Sequence, residues 1–185
     1  DAEAPVTAFL GARLAVDADG VSIAHIYRSD PELPAERAPL QQPGVDARAG
    51  DRLLAINGRA VRNPGDVARA LRQQAGQQVL LTLQRGKAEA HRTVVVPVPA
   101  DRDATLRYLD WVQGRAEAVA AASGGRMGYL HLRAMTPGDM AAFVRDFYAQ
   151  LDREGLIVDV RRNRGGNIDS WVIDRLMRRA WAYWH

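Results

Sequence analysis

The sequence has no cysteine. That excludes thiol catalysis, disulfide bridges and zinc sites built on Cys ligands, and leaves the redox compartment open. Lysine is nearly absent too: Lys87 is the single one among 25 basic residues, so 24 are arginines. Aromatic residues make up only 6%, and no apolar run reaches 18 residues, so no membrane-spanning helix is expected. No secretory leader is recognised in these residues either. The first residue is Asp1 rather than Met, and this end is read as cut or processed, with any address removed along with it.

What is present describes a globular chain. Apolar residues account for 47% and charged residues for 25% of 185 positions. The formal net charge is +3 and the sequence pI about 9.7. A nucleic-acid binder gathers such charge on one face and interleaves aromatics. Here the arginines are mixed with acids, as in "VRDFYAQLDREG", and only Arg161, Arg162 and Arg164 gather, beside a glycine pair. A solvated, arginine-biased surface is expected, with no nucleic-acid partner.

The first half reads as short strands around one helix. "ARLAV" and "VSIAHIY" alternate about Asp19-Gly20, a hairpin turn signal. A Pro-rich connection follows, then "DRLLAINGRAV" with a tight Asn57-Gly58 turn. "NPGDVARALRQQAG" predicts a helix capped by Asn63, started by Pro64 and ended at Gly76, with Val67, Ala70 and Leu71 facing inward. A last hairpin is predicted around Gly86-Lys87. Residues 1–99 should thus form one β-rich unit with its own core.

Residues 100–125 predict a connecting helix closed by Ser123-Gly124-Gly125. From 126 to 185 the pattern becomes β-α-β-α. "MGYLHL" reads as a buried strand. Thr136 caps a helix that runs towards Gly155, with Met140, Phe143, Val144, Phe147 and Leu151 on its buried face. "LIVDV" reads as a parallel strand covered on both sides, and "NIDSWVIDRLMRRAWAYW" as a final helix. Two strands and two helices do not complete an α/β core, so the second domain is expected to be partial.

Two stretches carry recognisable patterns. "PGVDARAGDRLLAINGRAVRNPGDVARAL" resembles a bacterial-type PDZ domain: Gly50-Asp51, Leu53, Ile56-Asn57-Gly58 and the following helix stand in that family's order. The resemblance implies a PDZ-like β-rich barrel that binds extended peptides by strand addition. It places a carboxylate-binding loop at "FLGA", Phe9, Leu10, Gly11 and Ala12, with Ala8 where the first glycine of Gly-Φ-Gly-Φ belongs. The wider order, ending in "RYLDWVQGR", "GGRMGYLHL" and "GLIVDVRRNRGGNIDS", resembles the tricorn-like serine peptidases, relatives of the C-terminal-processing peptidases. The implied fold is mixed α+β: the PDZ-like barrel with one or two helices, a connecting helix, then the opening βαβα of a peptidase domain.

The glycine pair is the chemically informative point. A strand that turns into a helix through two glycines bares backbone amides towards an anion. A phosphate loop would need Gly-Lys-Ser/Thr next, and Asn167 follows instead. By resemblance, the amide of Gly166 is an oxyanion-hole donor, Gly165 shapes the turn, and Arg161 and Asn163 support the loop. Asp159 is expected to brace Arg161. A plain strand-to-helix turn is the competing account.

The nucleophile and base are not found in this sequence. Ser170 stands one turn into the last helix, where a cap or a backbone bond is expected of its hydroxyl. His131 is expected to be a hydrogen-bonded core residue. His25 and His91 lie on predicted strands, and His185 is terminal. The resemblance implies peptide or unfolded-polypeptide substrates, no metal or cofactor, a cytoplasmic or periplasmic setting without membrane, and a homo-oligomeric ring; Trp171, Trp181 and Trp184 suit burial by a missing domain or a neighbour. It also implies that this chain alone is inactive. Trp184 after Tyr183 departs from relatives selective for basic residues, so that selectivity is not carried over. Two other readings stay open: a non-catalytic PDZ scaffold, and a C-terminal-processing peptidase of the cell envelope with a Ser-Lys pair further on.

Overall fold

A computed structural model describes residues 6–30 and 33–177. The chain divides into two compact units, Asp1–Gln113 and Gly114–His185. The division falls within the helix Ala100–Ser123.

The first unit is built on a six-stranded antiparallel sheet, β1 (Ala12–Asp17), β2 (Gly20–Ile26), β3 (Arg52–Ile56), β4 (Arg59–Ala60), β5 (Val79–Gln84) and β6 (His91–Val95). The path runs β1-β2-β3-β5-β6, with β4 on β3. Two turns follow from their residues. Asn57 and Gly58 both take positive φ, 49° and 75°, as a tight hairpin requires. The Asn57 carboxamide oxygen then accepts from the Leu80 amide at 2.8 Å, tying the turn to β5. The sheet is open rather than a barrel. β1 and β6 are its two ends, linked only through their flanks, where Phe9 and Val98 exchange backbone hydrogen bonds of 2.8 and 2.9 Å. With five strands on one path and no pairing between the terminal two, closure does not occur.

Helix α1 (Pro64–Ala70) starts as the sequence predicts: the Asn63 side chain accepts from the Asp66 amide at 3.1 Å. It ends earlier than Gly76. The Leu71 carbonyl is taken by the Ala8 amide and Gln73 turns to φ 58°, its own amide donating to Val6. A tertiary strand therefore ends this helix, not the glycine. The core contains Ile23, Leu53, Ile56, Leu81 and Leu83, all essentially inaccessible. Beneath it, buried Asp51 receives Arg85 Nε and Nη2 at 2.9 Å each and the Arg48 amide at 2.8 Å. Helix α2 (Ala100–Ser123) buries Leu106 beside Tyr27 and Ala38. Its Asp110 accepts from the Arg28 amide at 3.0 Å and lies 2.8 Å from His25 Nε2.

The second unit contains β7 (Met127–His131), α3 (Pro137–Tyr148), β8 (Gly155–Asp159) and α4 (Asp169–Leu176). β7 and β8 are parallel, with His131 opposite Asp159. Leu130, Leu132, Phe143, Ile168 and Val172 form the buried cluster. α3 stops at Tyr148, well before Gly155, so Leu151 falls outside it and is 61% exposed. Leu156 and Val158 of β8 pack against the buried cluster, while on the other face Ile157 is 41% exposed and Asp159 is buried. Trp171, Ile173, Leu176 and Met177 are exposed on and just after α4. Trp181, Tyr183, Trp184 and His185 lie outside the described residues. No helix among the described residues is long and apolar enough to cross a membrane.

Candidate functional site

The loop after β8 is held from both sides. At its root, Asp159 is buried and collects three groups. Arg161 gives its amide at 2.9 Å and its guanidinium at 2.5–3.0 Å, and Tyr129 gives its hydroxyl at 2.8 Å. The guanidinium hydrogen bonds hold the Asp159 carboxyl far below the usual carboxylate range, against the opposing effect of burial. Tyr129 moves the other way, raised first by burial and then by the carboxylate it donates to. A carboxylate so engaged is a brace, with no proton to exchange near neutral pH.

The loop then lies along the segment between β7 and α3. Leu132 donates to the Asp159 carbonyl at 2.9 Å and Arg164 to that of Arg133 at 3.1 Å. Asn163 spans the gap: its Nδ2 donates to the Leu132 carbonyl at 2.8 Å, and its Oδ1 accepts from the Gly165 amide at 2.7 Å. At the glycines a parallel bridge forms. Met135 donates to the Gly165 carbonyl at 2.8 Å, and Asn167 and Ile168 donate to the Met135 carbonyl at 2.7 and 3.2 Å. Met135 is itself fixed because the next residue, Thr136, opens α3 in a capping box with Asp139.

The two glycines are needed for different reasons. Gly165 has φ 76° and open space where a Cβ would stand. Gly166 has φ 149°, and a Cβ there would lie 1.8 Å from the Met135 carbonyl oxygen. Only glycine permits this close approach of two backbones. The bridge directs the Gly166 amide away from Met135, and it donates to no described residue. Gly166 is exposed. α4 begins three residues later, at Asp169 rather than at Asn167.

Asn163→Ala is expected to cost about 2 kcal/mol, since two hydrogen bonds of about 1 kcal/mol each are lost. Asn163→Asp keeps the acceptor for Gly165 and loses only the donor to Leu132. Amide exchange measured by NMR should therefore speed up at Gly165 in the first variant and much less in the second.

The remaining sequence-predicted residues lie elsewhere. Phe9 pairs with Val98, Leu10 is buried, and Ala12 opens β1. Gly11 has φ 67°, and its Cβ would meet Pro39 at 2.6 Å. His131 is half-buried at a strand end, 2.7 Å from the Arg161 carbonyl, and is not a core residue. Ser170 is exposed, and its hydroxyl bonds to no described residue. The sequence reading missed Tyr129 and the Met135 segment, whose roles depend on parallel pairing across more than 25 residues. It also missed Asp103 and Arg107, although an Asp and an Arg four apart on one helix are a visible pair.

A family model described as the tricorn protease PDZ domain matches residues 8–100. The chain belongs to the tricorn protease family. A model of peptidase family S41 matches residues 126–180, which include the glycine loop. Tricorn protease homolog 1 of Streptomyces coelicolor is 42% identical over 172 residues, 92% of this chain and 16% of the relative. The tricorn protease of Thermoplasma acidophilum is 30% identical over 168 residues, 91% of this chain and 15% of the relative. Among solved structures, the crystal structure of the tricorn protease superposes with a TM-score of 0.86 at 27% identity, covering 96% of this chain and 17% of that one. The chain therefore spans about a sixth of the length of these tricorn relatives.

Proposed function

We propose that this tricorn-family chain supplies two parts of a serine peptidase: a PDZ unit that receives a polypeptide, and the amide that stabilises the oxyanion when its peptide bond is cleaved. The exposed, undonated amide of Gly166, held in a backbone clasp just ahead of a helix N-terminus, carries the second part. In such a reaction a serine oxygen attacks the carbonyl carbon while a base takes the hydroxyl proton. The carbonyl oxygen becomes an anion and needs a donor already facing it. The tetrahedral species collapses, the proton passes to the leaving amine, and water hydrolyses the acyl-enzyme.

The clasp that fixes Gly166 before substrate arrives supports this reading. We assign neither nucleophile nor base to residues 1–185. His25 is engaged with Asp110, His91 with the Asp46 carbonyl, and His131 with the Arg161 carbonyl. The 185 residues by themselves are expected not to cleave peptides. The exposed apolar residues of α4, Trp171 among them, we assign to contact with further polypeptide of a homo-oligomeric assembly.

The test removes the donor and weakens the clasp only at the Gly165 carbonyl, which as an ester accepts less strongly from Met135. Glycolate in place of Gly166, introduced in the full-length gene product, turns the amide into an ester and leaves φ, ψ and the absent Cβ unchanged. The turnover of a fluorogenic peptide should fall by about 10²–10³, with little change in KM. Unchanged turnover rejects the assignment of Gly166. Failure of a serine-reactive phosphonate to label the folded full-length protein rejects the peptidase reading and favours a PDZ scaffold.

A further inference from the structure

The groove of the first unit has an end, and a charge at that end. It lies between β1 and α1, holds about 420 Å³, and has apolar walls that include Leu10, Leu14, Val67 and Leu71. Among the described residues β1 pairs only with β2, so its outer edge can accept another strand. At one end the lead-in to β1 crosses to the end of α1. Ala8 donates to the Leu71 carbonyl at 3.0 Å, Gln73 to the Val6 carbonyl at 2.9 Å, and Thr7 bridges Arg72. A chain laid along β1 towards this wall has to stop there.

Among the described residues, Arg13 and Arg107 are the only charged side chains lining the groove, and no acidic one lines it. Arg107 belongs to the closed end: its Cζ is 6.0 Å from the Phe9 ring centre and 5.9 Å from that of Tyr27. Its Nε and Nη2 are bound to Asp103 Oδ2 at 2.8 and 2.7 Å. The side chain is 57% exposed, with the Tyr27 hydroxyl as its other polar neighbour. Asp103 behind it is 2% exposed. That carboxylate aims the guanidinium and leaves its other edge for a second anion. Two backbone amides of the lead-in are already engaged, Ala8 with Leu71 and Phe9 with Val98. The available cation at the wall is therefore a side chain from α2, beyond residue 100, where the tricorn PDZ match ends.

We propose that Arg107 is the carboxylate receptor of this groove, pairing with the free C-terminus of an extended polypeptide added to the β1 edge. This rests on the peptide-binding reading of the PDZ unit. It adds that the site is shared with α2, so that the PDZ segment without α2 would lose its preference for chain ends.

Fluorescein-labelled decapeptides ending in Ala, Val, Leu or Phe, each as free acid and as C-terminal amide, test it by anisotropy on the 185-residue chain. The free acid of at least one should bind about tenfold tighter than its amide. Arg107→Gln should abolish that difference and Arg13→Gln preserve it. Because Arg107→Gln strands a buried carboxylate, the double variant Asp103→Asn with Arg107→Gln is measured alongside, with thermal melts of both. Equal binding of acid and amide to the unaltered chain overturns the carboxylate role while leaving the groove as a peptide site. Binding of neither overturns both readings. An acid preference that survives in the folded double variant overturns Arg107.

Discussion

Gly166→Ala is expected to destabilise the second unit by about 4 kcal/mol and to open the loop before it affects any chemistry. The added Cβ would overlap the Met135 carbonyl, which is main chain and cannot rotate aside. Three hydrogen bonds centred on Met135 would have to part, each contributing about 1 kcal/mol. The backbone conformation adds about 1 kcal/mol more for a residue with a Cβ. Amide exchange at Met135, Asn167 and Ile168 should accelerate together, on the order of 10²–10³-fold if opening of this bridge limits them. Gly165→Ala is the control. With open space around its Cβ it should cost only the positive φ, about 1–2 kcal/mol. Equal effects of the two substitutions would show that the approach to Met135 does not matter. The contrast with glycolate separates two demands on one residue: the missing Cβ serves the fold, and the amide serves the proposed reaction.

In the first unit the largest loss is expected from Arg85→Met, about 3–5 kcal/mol, because it leaves Asp51 buried without its counter-charge. That should lower the melting temperature of the unit by more than about 10 °C and speed exchange in β3 and β5. The pH dependence has a definite sign. Burial, the largest single influence on Asp51, pushes its carboxyl up, but hydrogen bonds from Arg85 and the Arg48 amide, with the charge of Arg85, outweigh it and hold it below the ordinary value. A carboxyl depressed by folding stabilises the unit above its unfolded pKa of about 3.9, and that stabilisation is lost as pH falls through the folded value. In Arg85→Met burial acts unopposed by the guanidinium, so the Asp51 carboxyl takes up its proton more readily in the folded unit, and the stability lost to the substitution should be largest near neutral pH and shrink as pH falls. A stability difference between the two proteins that stays constant as pH falls would show that the pair does not carry it.

Several features of this fold are legible because their causes are local. Asn57-Gly58 makes a tight turn because both residues accept positive φ. Asn63 and Thr136 start helices because their side chains satisfy amides within three residues. The order of strands, the connecting helix and the β-α-β-α pattern follow from such signals, and so does the position of the glycine loop. Helix ends were less legible. α1 is stopped by the Ala8 strand taking the Leu71 carbonyl, and α3 ends before its apolar spacing does, leaving Leu151 to solvent. The expectation of a barrel failed for a related reason: closure depends on pairing between β1 and β6, and that pairing is confined to Phe9 and Val98.

The sequence by itself determined the tricorn pattern, the two glycines and their place between a strand and a helix. What only the tertiary structure decided is why each glycine is there and what surrounds it. Gly165 answers to its own backbone angle, whereas Gly166 answers to Met135, a partner 31 positions earlier on a neighbouring path. Tyr129 reaches Asp159 through parallel pairing of β7 with β8, and Arg107 reaches the Phe9 wall through packing of α2. Such contacts leave no trace in the spacing of residues along the chain, because they are set by which segments lie side by side once the core is buried.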